Sequence, residues 1–293
     1  MPHATELLFA LGLGEQVVGV THECDHPIAA GRLPTVTRDA LPAGLSAAEI
    51  DREVKERIQR GEAIYALDES ALRELEPDLI VTQELCPVCA VSYEEVAGLA
   101  QDLPGCPRVV ALDPKTFGET LGDARTIAQL TGTREAALEL VRATRARVDA
   151  VRRAVRGRPP VRVAAIEWFD PVFVAGHWTP QLIEWAGGED LLGLPAEPSA
   201  QTTWEAVAAV EPEIVVAMPC GYDAETAYRE AEAHAGALRA TGARRVVAVD
   251  GGAYFSRPGP RLVEGLELLA AVLHPEVLGD APAAALELDL RRP

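Results

Sequence analysis

Sulfur and imidazole side chains occur at two points where Val- and Ile-rich runs of this chain end. The first group is His22, Cys24 and His26, and the second is the pair Cys86 and Cys89, spaced as C-x-x-C. Thiolates and imidazoles are the ligands that zinc and other soft metals prefer. The sequence therefore predicts a candidate metal site made of Cys24, Cys86, Cys89 and His22.

The same residues allow two other chemistries. Residues 22–26 (HECDH) match H-E-x-x-H, the zinc-protease pattern, which needs both histidines on one face of a helix. Pro27 follows directly and a strand-like run precedes, so we expect a loop instead of a protease helix. Cys86 and Cys89 precede a predicted helix, and a helix N-terminus activates a thiol. A thiol oxidoreductase and a metal-binding or metal-sensing protein both stay open as alternatives.

Aromatic side chains follow two other apolar runs. Trp168 and Trp178 lie in predicted loops after one strand, and Tyr254 and Arg257 follow another. Flat apolar faces suit a large planar ligand, and a guanidinium can pair with a phosphate or carboxylate. His177, beside Trp178, is a further candidate for binding a metal or a ligand.

Short apolar runs alternate with helical patterns along the chain. The runs are nearly continuous in apolar residues, which is typical of parallel strands covered on both faces. The predicted strands are residues 16–21, 78–82, 108–112, 161–166, 213–217 and 245–249. The predicted helices are residues 46–59, 70–75, 92–99, 133–156 and 262–273. Ligands of open α/β sheets bind outside the carboxyl ends of the strands, which is where the unusual residues lie.

One helical pattern is long enough to connect two domains. Residues 133–156 contain no Gly or Pro, and at 1.5 Å per residue they span about 36 Å. The prediction is an α/β fold of two Rossmann-like lobes with parallel sheets, joined by one long rigid helix. The N-terminal lobe is 1–132, the connecting helix 133–157 and the C-terminal lobe 158–293, with the ligand in a cleft between the lobes. A long surface helix within a single domain is the alternative.

Composition and absent motifs exclude several classes of function. Lys+Arg 27 against Asp+Glu 45 gives a net charge of −18, which disfavours nucleic acid and anionic membrane surfaces as partners. No apolar run reaches the roughly 20 residues of a membrane-spanning helix. The N-terminus lacks a secretory pattern, which predicts a cytoplasmic location for the chain as given, or a periplasmic or cell-surface one if the true start lies upstream. No phosphate-binding loop or paired nucleophile and base is found, so we expect no enzyme and no required cofactor.

Several segments in order resemble class III substrate-binding proteins, which serve ABC importers of cobalamin, heme and iron-siderophores. The likeness extends from residue 2 to about residue 273 and is greatest to the cobalamin-binding members. It rests on residues 4–14 (ATELLFALGLG), 17–20 (VVGV), 72–80 (LRELEPDLI), 186–191 (AGGEDL) and 257–261 (RPGPR).

The resemblance implies a non-enzymatic protein that captures cobalamin, or a related metal tetrapyrrole or metal chelate, for ABC-type import. It also implies little hinge motion, because one continuous helix links the lobes. Aromatic residues of the family contact the corrin, and an ABC permease docks on glutamates that correspond to Glu95 and Glu205. By position, the implied ligand contacts are His22, Cys24, His26, Glu84, Cys86, Cys89, Phe173, Trp204, Tyr254 and Arg257.

This chain departs from the family in three places. The family has a strand before residues 4–14, and its absence here is expected to leave a gap in the first sheet. The alternating tail, residues 286–290, is expected to fray, with pairing to a sheet edge as the alternative. Cys24, Cys86 and Cys89 replace aromatic or polar residues of the periplasmic cobalamin binders, which favours a metal or metal chelate. The two-histidine loop offers an axial ligand to cobalt or iron.

Overall fold

The computed structural model describes residues 1–83, 93–279 and 283–290, and the chain divides into two units. Unit 1 comprises Met1–Pro114 and Glu119–Val141, and unit 2 comprises Lys115–Gly118 and Arg142–Pro293. Both units combine helices with sheets, which confirms the predicted α/β class. Glu84, Cys86 and Cys89 lie outside the described residues. The lobe boundaries inferred from the sequence stay a prediction.

The first half of the chain contains short strands and six helices within the described residues. The helices are α1 (Pro2–Ala10), α2 (Ala47–Arg60), α3 (Glu69–Leu75), α4 (Tyr93–Asp102), α5 (Phe117–Thr131) and α6 (Arg134–Ala154), with single 3₁₀ turns at Gly14–Gln16 and Ala30–Arg32. The strands are β1 (Thr37–Asp39), β2 (Tyr65–Leu67), β3 (Leu79–Gln83) and β4 (Arg108–Leu112). β1 pairs with β2 antiparallel, and β3 pairs with β4 parallel.

The predicted strand at residues 16–21 is wrong. Val20 makes only an isolated bridge with Thr35, in which the Val20 N–H donates to Pro34 O and the Val36 N–H donates to Val20 O. Pro34 has no N–H to donate, so the ladder stops after these bonds. The predicted strands at 78–82 and 108–112 are confirmed as β3 and β4.

Local signals for α2 are confirmed in detail. The Ser46 hydroxyl accepts a hydrogen bond from the Glu49 N–H, and the Glu49 carboxylate accepts one from the Ser46 N–H at 2.8 Å. This reciprocal capping box satisfies two donors that the first turn leaves unpaired. The helix ends at Gly61, whose φ of 69° is left-handed and favours glycine.

The core of unit 1 forms where α1 and α5 cover β4. Apolar residues at helical spacing on α1 meet the buried face of α5 and the end of β4, and Val81 and Val110 pack against them half-buried. The cluster consists of Ala4, Leu7, Leu11, Leu13, Leu112, Ala124, Ile127, Ala128 and Ala137.

The second half of the chain contributes one larger sheet and seven helices among its described residues. The strands are β5 (Val161–Phe169), β6 (Val172–Val174), β7 (Gly188–Asp190), β8 (Ala200–Gln201), β9 (Ile214–Ala217), β10 (Arg245–Val249) and β11 (Ala285–Glu287). The helices are α7 (Thr179–Trp185), α8 (Trp204–Ala209), α9 (Ala224–Ala233), α10 (Ala235–Ala240), α11 (Gly251–Tyr254), α12 (Leu262–Leu273) and α13 (Pro275–Leu278).

The sheet of unit 2 is mixed, which corrects the expectation of a purely parallel one. Its order is β11-β10-β9-β5-β6-β8, with β7 also paired to β5. β10, β9, β5 and β7 are parallel, whereas β6, β8 and β11 join antiparallel. Only Asp170 and Pro171 separate β5 from β6, and so short a turn allows only an antiparallel return.

The C-terminal tail pairs with the edge of this sheet instead of fraying. β11 lies antiparallel to β10, with Ala248 opposite Leu286. The guanidinium of Arg245 donates to both carboxylate oxygens of Glu287, at 2.9–3.2 Å, and to Val272 O at 2.7 Å. The pairing of β11 with β10 confirms the alternative of edge pairing. Arg245 also connects this strand to the end of α12 by charge-assisted hydrogen bonds.

The long helix predicted at 133–156 is confirmed as α6. Its 21 residues span about 31 Å, and the boundary between the two units falls within it, after Val141. No helix in the described ranges combines the length and apolar character that crossing a bilayer requires.

Candidate functional site

The carboxyl ends of three parallel strands of unit 2 lie side by side, away from the lateral edge where β11 pairs. Ile166 of β5 lies opposite Ala217 of β9, which in turn lies opposite Ala248 of β10. The segments that continue from these strands therefore meet at these carboxyl ends, hereafter the unit 2 edge. Open α/β sheets bind ligands at such an edge, as the sequence predicts.

Trp168 and Tyr222 form an aromatic pair at the unit 2 edge. Their ring centroids lie 5.7 Å apart at 57°, and both side chains are half-buried. The indole N–H of Trp168 donates to Asp170 O at 3.2 Å. Burial, followed by the nearby Glu230 and Cys220, raises the pKa of Tyr222, so the phenol stays neutral. Tyr222 also packs against the core of unit 2, and uncharged flat rings of this kind suit contact with a planar ligand.

Backbone contacts hold the loop that carries Tyr222. The Cys220 N–H donates to Glu167 O at 3.1 Å, and the Gly252 N–H donates to Tyr222 O at 2.9 Å. A Cβ on Gly251 would lie 2.4 Å from Pro219 O, so only glycine permits this approach. The loop is thus fastened to β5 on one side and to α11 on the other.

A polar pair lies next to Trp168 in the chain. The Ser199 hydroxyl donates a short hydrogen bond to a carboxylate oxygen of Glu167, and both residues are half-buried. The unit 2 edge therefore combines apolar faces with a carboxylate that hydrogen-bonds in place, as small-molecule sites commonly do.

Tyr254 and Arg257 follow β10 as the sequence predicts. Asp250 caps α11 by accepting from the Ala253 N–H at 2.7 Å. Burial is the largest cause that raises the pKa of Asp250, and the charges of Arg257 and Arg261 oppose it. Burial likewise raises the pKa of Tyr254. Tyr254 also lines a groove of about 660 Å³ between α6 and α12.

Trp178 and His177 are held by contacts within unit 2. Trp178 is only 4% exposed, and its indole N–H donates to Phe255 O at 2.8 Å. The His177 ring stacks on Trp178 with ring centroids 5.4 Å apart, and the His177 backbone N–H donates to Glu197 O. Trp178 is thus part of the buried core of unit 2.

Trp204 packs against the core of unit 2, whereas Phe173 lies opposite Trp168 in the sheet. Trp204 lies 5.8 Å from Phe169 and 6.4 Å from His234 between ring centroids, half-buried against the core. Phe173 lies on β6, opposite both Trp168 and Gln201, and is half-buried. Of the predicted tryptophans, Trp168 is the one that the structure places in an aromatic pair at the unit 2 edge.

Tyr222 follows the predicted strand at 213–217, but the sequence did not make it a candidate ligand contact. It lies after Gly221 and directly before Asp223, which caps α9, so by sequence it reads as an ordinary loop residue. The available signal was its position after the β9 strand end, where the chemistry of this fold class concentrates.

In unit 1, Cys24 is a buried thiol. It is 4% exposed, and its Sγ lies 3.2 Å from Thr5 Oγ1 and 3.1 Å from Thr21 Oγ1. Within residues 1–83, 93–279 and 283–290, no group of three or more His, Cys, Asp and Glu side chains is arranged to hold a metal ion. Because Cys86 and Cys89 lie outside these ranges, the site that combines them with Cys24 and His22 stays a prediction.

The histidines of the same loop are exposed. His22 Nδ1 lies 2.7 Å from Thr37 Oγ1, and the His22 ring packs 5.2 Å from the ring of Tyr65. The Tyr65 hydroxyl donates to Glu23 Oε1 at 3.0 Å. Unit 1 thus presents an imidazole in a defined orientation, and His26 beside it on the same loop.

The two glutamates implied for permease docking are both exposed. Glu95 lies in the first turn of α4, and Glu205 in the first turn of α8. Hydrogen bonds from its own backbone N–H and from Thr203 hold the pKa of Glu205 below its ordinary value. Glu205 is therefore available as an anion on the surface.

Comparison with known proteins gives one family. A model of the periplasmic binding protein family matches residues 2–251. A search of curated proteins found no match.

Solved structures of similar fold cover nearly the whole chain. The apo heme-binding protein RhuT from Roseiflexus sp. RS-1 is 22% identical, with a TM-score of 0.65 and 96% of each chain covered. The vitamin B12 binding protein BtuF of Vibrio cholerae is 21% identical, with a TM-score of 0.67 and coverage of 93% of this chain and 94% of that one. The heme-binding protein BhuT, in complex with two hemes, is 25% identical, with a TM-score of 0.67 and 96% of each chain covered.

Proposed function

Since this chain belongs to the periplasmic binding protein family, we propose that it binds a metal tetrapyrrole, with cobalamin as the first candidate and heme as the second. The proposed role is capture of this solute without chemical change to it. Support comes from relatives of the same fold that are described as binding vitamin B12 or heme.

The aromatic pair Trp168–Tyr222 is the observation that carries this proposal. A tetrapyrrole is a broad planar ring, and half-buried aromatic faces bind such rings by apolar contact and stacking. The pair lies at the unit 2 edge, and its loop is fastened by backbone hydrogen bonds, so little freedom is lost when a ligand binds.

Heme is retained as the second candidate because of one further observation. Imidazole is a common axial ligand of heme iron, and His22 is an exposed imidazole with a fixed orientation. The cobalt of cobalamin also accepts a nitrogen ligand, so His22 fits both candidates.

Delivery to an ABC permease is part of the proposal. Exposed carboxylates at Glu95 and Glu205 offer charges for docking on a basic surface. Replacing both by Gln should weaken binding to the permease and leave tetrapyrrole affinity unchanged. A periplasmic location would follow from this role.

Titration of the purified chain tests the binding proposal. Cyanocobalamin and hemin are added separately, and binding is followed by the visible spectrum, by quenching of tryptophan fluorescence and by comigration on a sizing column. Zn²⁺ and Fe²⁺ without a macrocycle serve as control ligands. Saturable binding of one tetrapyrrole is expected, whereas binding of bare metal alone would favour the metal-binding alternative.

A matched pair of variants connects the titration to the aromatic pair. Tyr222→Ala removes the ring and should weaken binding about tenfold or more, while Tyr222→Phe keeps the ring and should bind nearly as the parent does. If neither tetrapyrrole binds the parent chain, the proposal is wrong.

A further inference from the structure

The carboxylate of Glu167 is held in place beside Trp168. Glu167 directly precedes Trp168 on β5, and its Oε2 accepts a hydrogen bond from the Ser199 hydroxyl. Glu167, Trp168 and Ser199 are all half-buried. A carboxylate oxygen accepts hydrogen bonds and donates none, so this group brings a negative charge and acceptor atoms next to an aromatic ring.

Strand pairing places Ser199 on the same face of the sheet as Trp168. Phe173 of β6 lies opposite both Trp168 of β5 and Gln201 of β8. Residues directly opposite one another share a face, and so do residues two positions apart along an extended chain. Ser199 comes two residues before Gln201 and therefore lies on the face that carries Trp168.

A local irregularity of β5 brings Glu167 to this face as well. The register of β5 against β6 shifts between Ile166 and Trp168. In a regular strand Glu167 and Trp168 would point to opposite faces, whereas a bulge re-aims one of the side chains. The hydrogen bond to Ser199 fixes the carboxylate on the side where Trp168 lies.

Both partners of this hydrogen bond are fixed by the backbone. A Cβ on Gly176 would lie 2.6 Å from Ser199 N, so the chain passes this closely only because residue 176 is glycine. On the other side, the Cys220 N–H donates to Glu167 O at 3.1 Å. Little conformational freedom is thus lost when this carboxylate contacts a ligand.

A fixed carboxylate distinguishes between two kinds of ligand side chain. It accepts hydrogen bonds from the NH₂ group of a primary amide, whereas a second carboxylate brings two like charges together. The two candidate ligands differ in this respect, because the corrin ring of cobalamin carries primary amides and the porphyrin ring of heme carries propionates. Specificity arises as much from the repulsion of one ligand as from the attraction of the other.

We infer that Glu167, with Ser199 as its positioning residue, selects tetrapyrroles with amide side chains over those with carboxylate side chains; this inference rests on the proposed function. Glu167 accepts a hydrogen bond from an amide of the first class and repels the charge of the second. Apolar contact with Trp168 and Tyr222 does not separate the two classes, because it depends on ring area and not on charge.

One pair of ligands isolates this contact. Cyanocobalamin is compared with its monocarboxylic acids, in each of which one propionamide is hydrolysed, so that the macrocycle and the ligands of cobalt stay the same. The parent chain should bind cyanocobalamin about tenfold more tightly than the acid whose new charge faces Glu167. In Glu167→Gln, which keeps the shape without the charge, this ratio of affinities should fall towards one.

A second glutamate provides the matched control. Glu189 is exposed on β7 and lies opposite Arg162, at the end of β5 distant from Trp168. Glu189→Gln changes the net charge of the chain by the same amount and should keep the ratio. In the parent chain, added NaCl should lower the ratio, because salt screens a repulsion between partly exposed charges, and this measurement needs no variant.

Ser199 is tested through the same ratio, which a loss of folding alone would not change selectively. Ser199→Ala removes the hydroxyl that holds Glu167 and should lower the ratio severalfold. Ser199→Thr keeps a hydroxyl and should retain most of it.

The failure of this inference is distinct from that of the proposed function. The inference is wrong if the parent chain binds cyanocobalamin and all its acids equally, if the ratio persists in Glu167→Gln or at high salt, or if Glu189→Gln abolishes it. Binding of hemin without binding of cyanocobalamin also overturns it and leaves tetrapyrrole capture standing. Absence of binding to cyanocobalamin and hemin alike overturns the proposed function itself.

Discussion

The strands of unit 1 and unit 2 resemble one another in sequence and differ in burial. Leu79, Ile80 and Val81 of β3 are half-buried, whereas every residue of β9, Ile214–Ala217, is buried. β9 has β5 and β10 as neighbours, while β4 is the strand that pairs with β3 among the described residues. A run of Val and Ile thus shows that a strand can be buried, and its neighbours decide how far it is.

The two units also offer different chemistry to a ligand. All four tryptophans, Trp168, Trp178, Trp185 and Trp204, belong to unit 2, and the exposed histidines His22 and His26 belong to unit 1. Aromatic side chains act on a ligand through contact area, whereas an imidazole acts through the direction of its lone pair.

The largest expected effect is on stability and uses a matched pair of isoleucines. Ile166→Ala on β5 opens a cavity at a fully buried site and should lower the free energy of unfolding of unit 2 by about 3–4 kcal/mol. Ile80→Ala on β3 removes a half-buried side chain and should cost unit 1 about 1 kcal/mol. Denaturant unfolding measures both.

Tryptophan fluorescence reports unit 2 alone, because no tryptophan belongs to unit 1, whereas circular dichroism reports both units. Equal losses of stability for the two variants would contradict the difference in burial between β3 and β5.

Trp168→Ala is the second prediction and concerns affinity. Loss of the indole should weaken binding of cyanocobalamin and aquocobalamin alike, by about 2 kcal/mol or about 30-fold, because apolar contact does not depend on the ligand of cobalt. Trp168→Phe, the control, should recover part of the loss. A loss confined to aquocobalamin would contradict a contribution from apolar contact.

The third prediction concerns pH and unit 1. Burial, then Glu119 and Asp113, raise the pKa of Asp123 from about 3.8 to about 7, and Asp123 Oδ2 has no hydrogen-bond partner among the described residues. Between these values the folded form holds a proton that the unfolded form releases. The stabilisation is therefore full below about pH 4 and is lost as the pH rises through about 7.

Asp123→Asn should flatten this pH dependence and stabilise the chain at pH 8. The expected change is about 1–2 kcal/mol, after a discount for the exposed part of the carboxyl group. Asp102→Asn, at an exposed position, is the control. A pH dependence of unfolding that persists in Asp123→Asn would contradict the assignment.

The smallest expected effects come from helix caps and should be equal in the two units. Ser46 caps α2 in unit 1, and Asp223 caps α9 in unit 2 by accepting from the Thr226 N–H at 2.7 Å. Replacing either by Ala should cost about 1 kcal/mol, because a cap acts within one turn and not through the sheet. Thermal unfolding of both variants measures this. A much larger loss for Asp223→Ala would show that tertiary packing, and not the cap, is affected.

The limits of prediction are visible at particular residues. β4 and β10 and helices α2 and α12 lie at or within one residue of their predicted bounds, because capping residues and apolar runs mark them locally. The short strands β6 and β8 were not predicted, since each is only two or three residues long and depends on a partner strand. At the site, Trp168 was predicted in a loop after residue 166, but it lies on β5, which continues to Phe169 and pairs there with β6. Tyr222 lies after a predicted strand end, but no local signal separates it from its loop neighbours.

The sequence by itself determined where helices begin and which runs become central strands, since these signals act through hydrogen bonds and side chains a few residues apart. It also placed the candidate ligand groups at strand ends. Only the tertiary structure decided that Trp168 pairs with Tyr222 while Trp178 is buried on Phe255 O, and that Thr37 holds His22. These outcomes depend on residues distant in sequence, and burial and orientation are properties of neighbours that the chain brings together only when it folds.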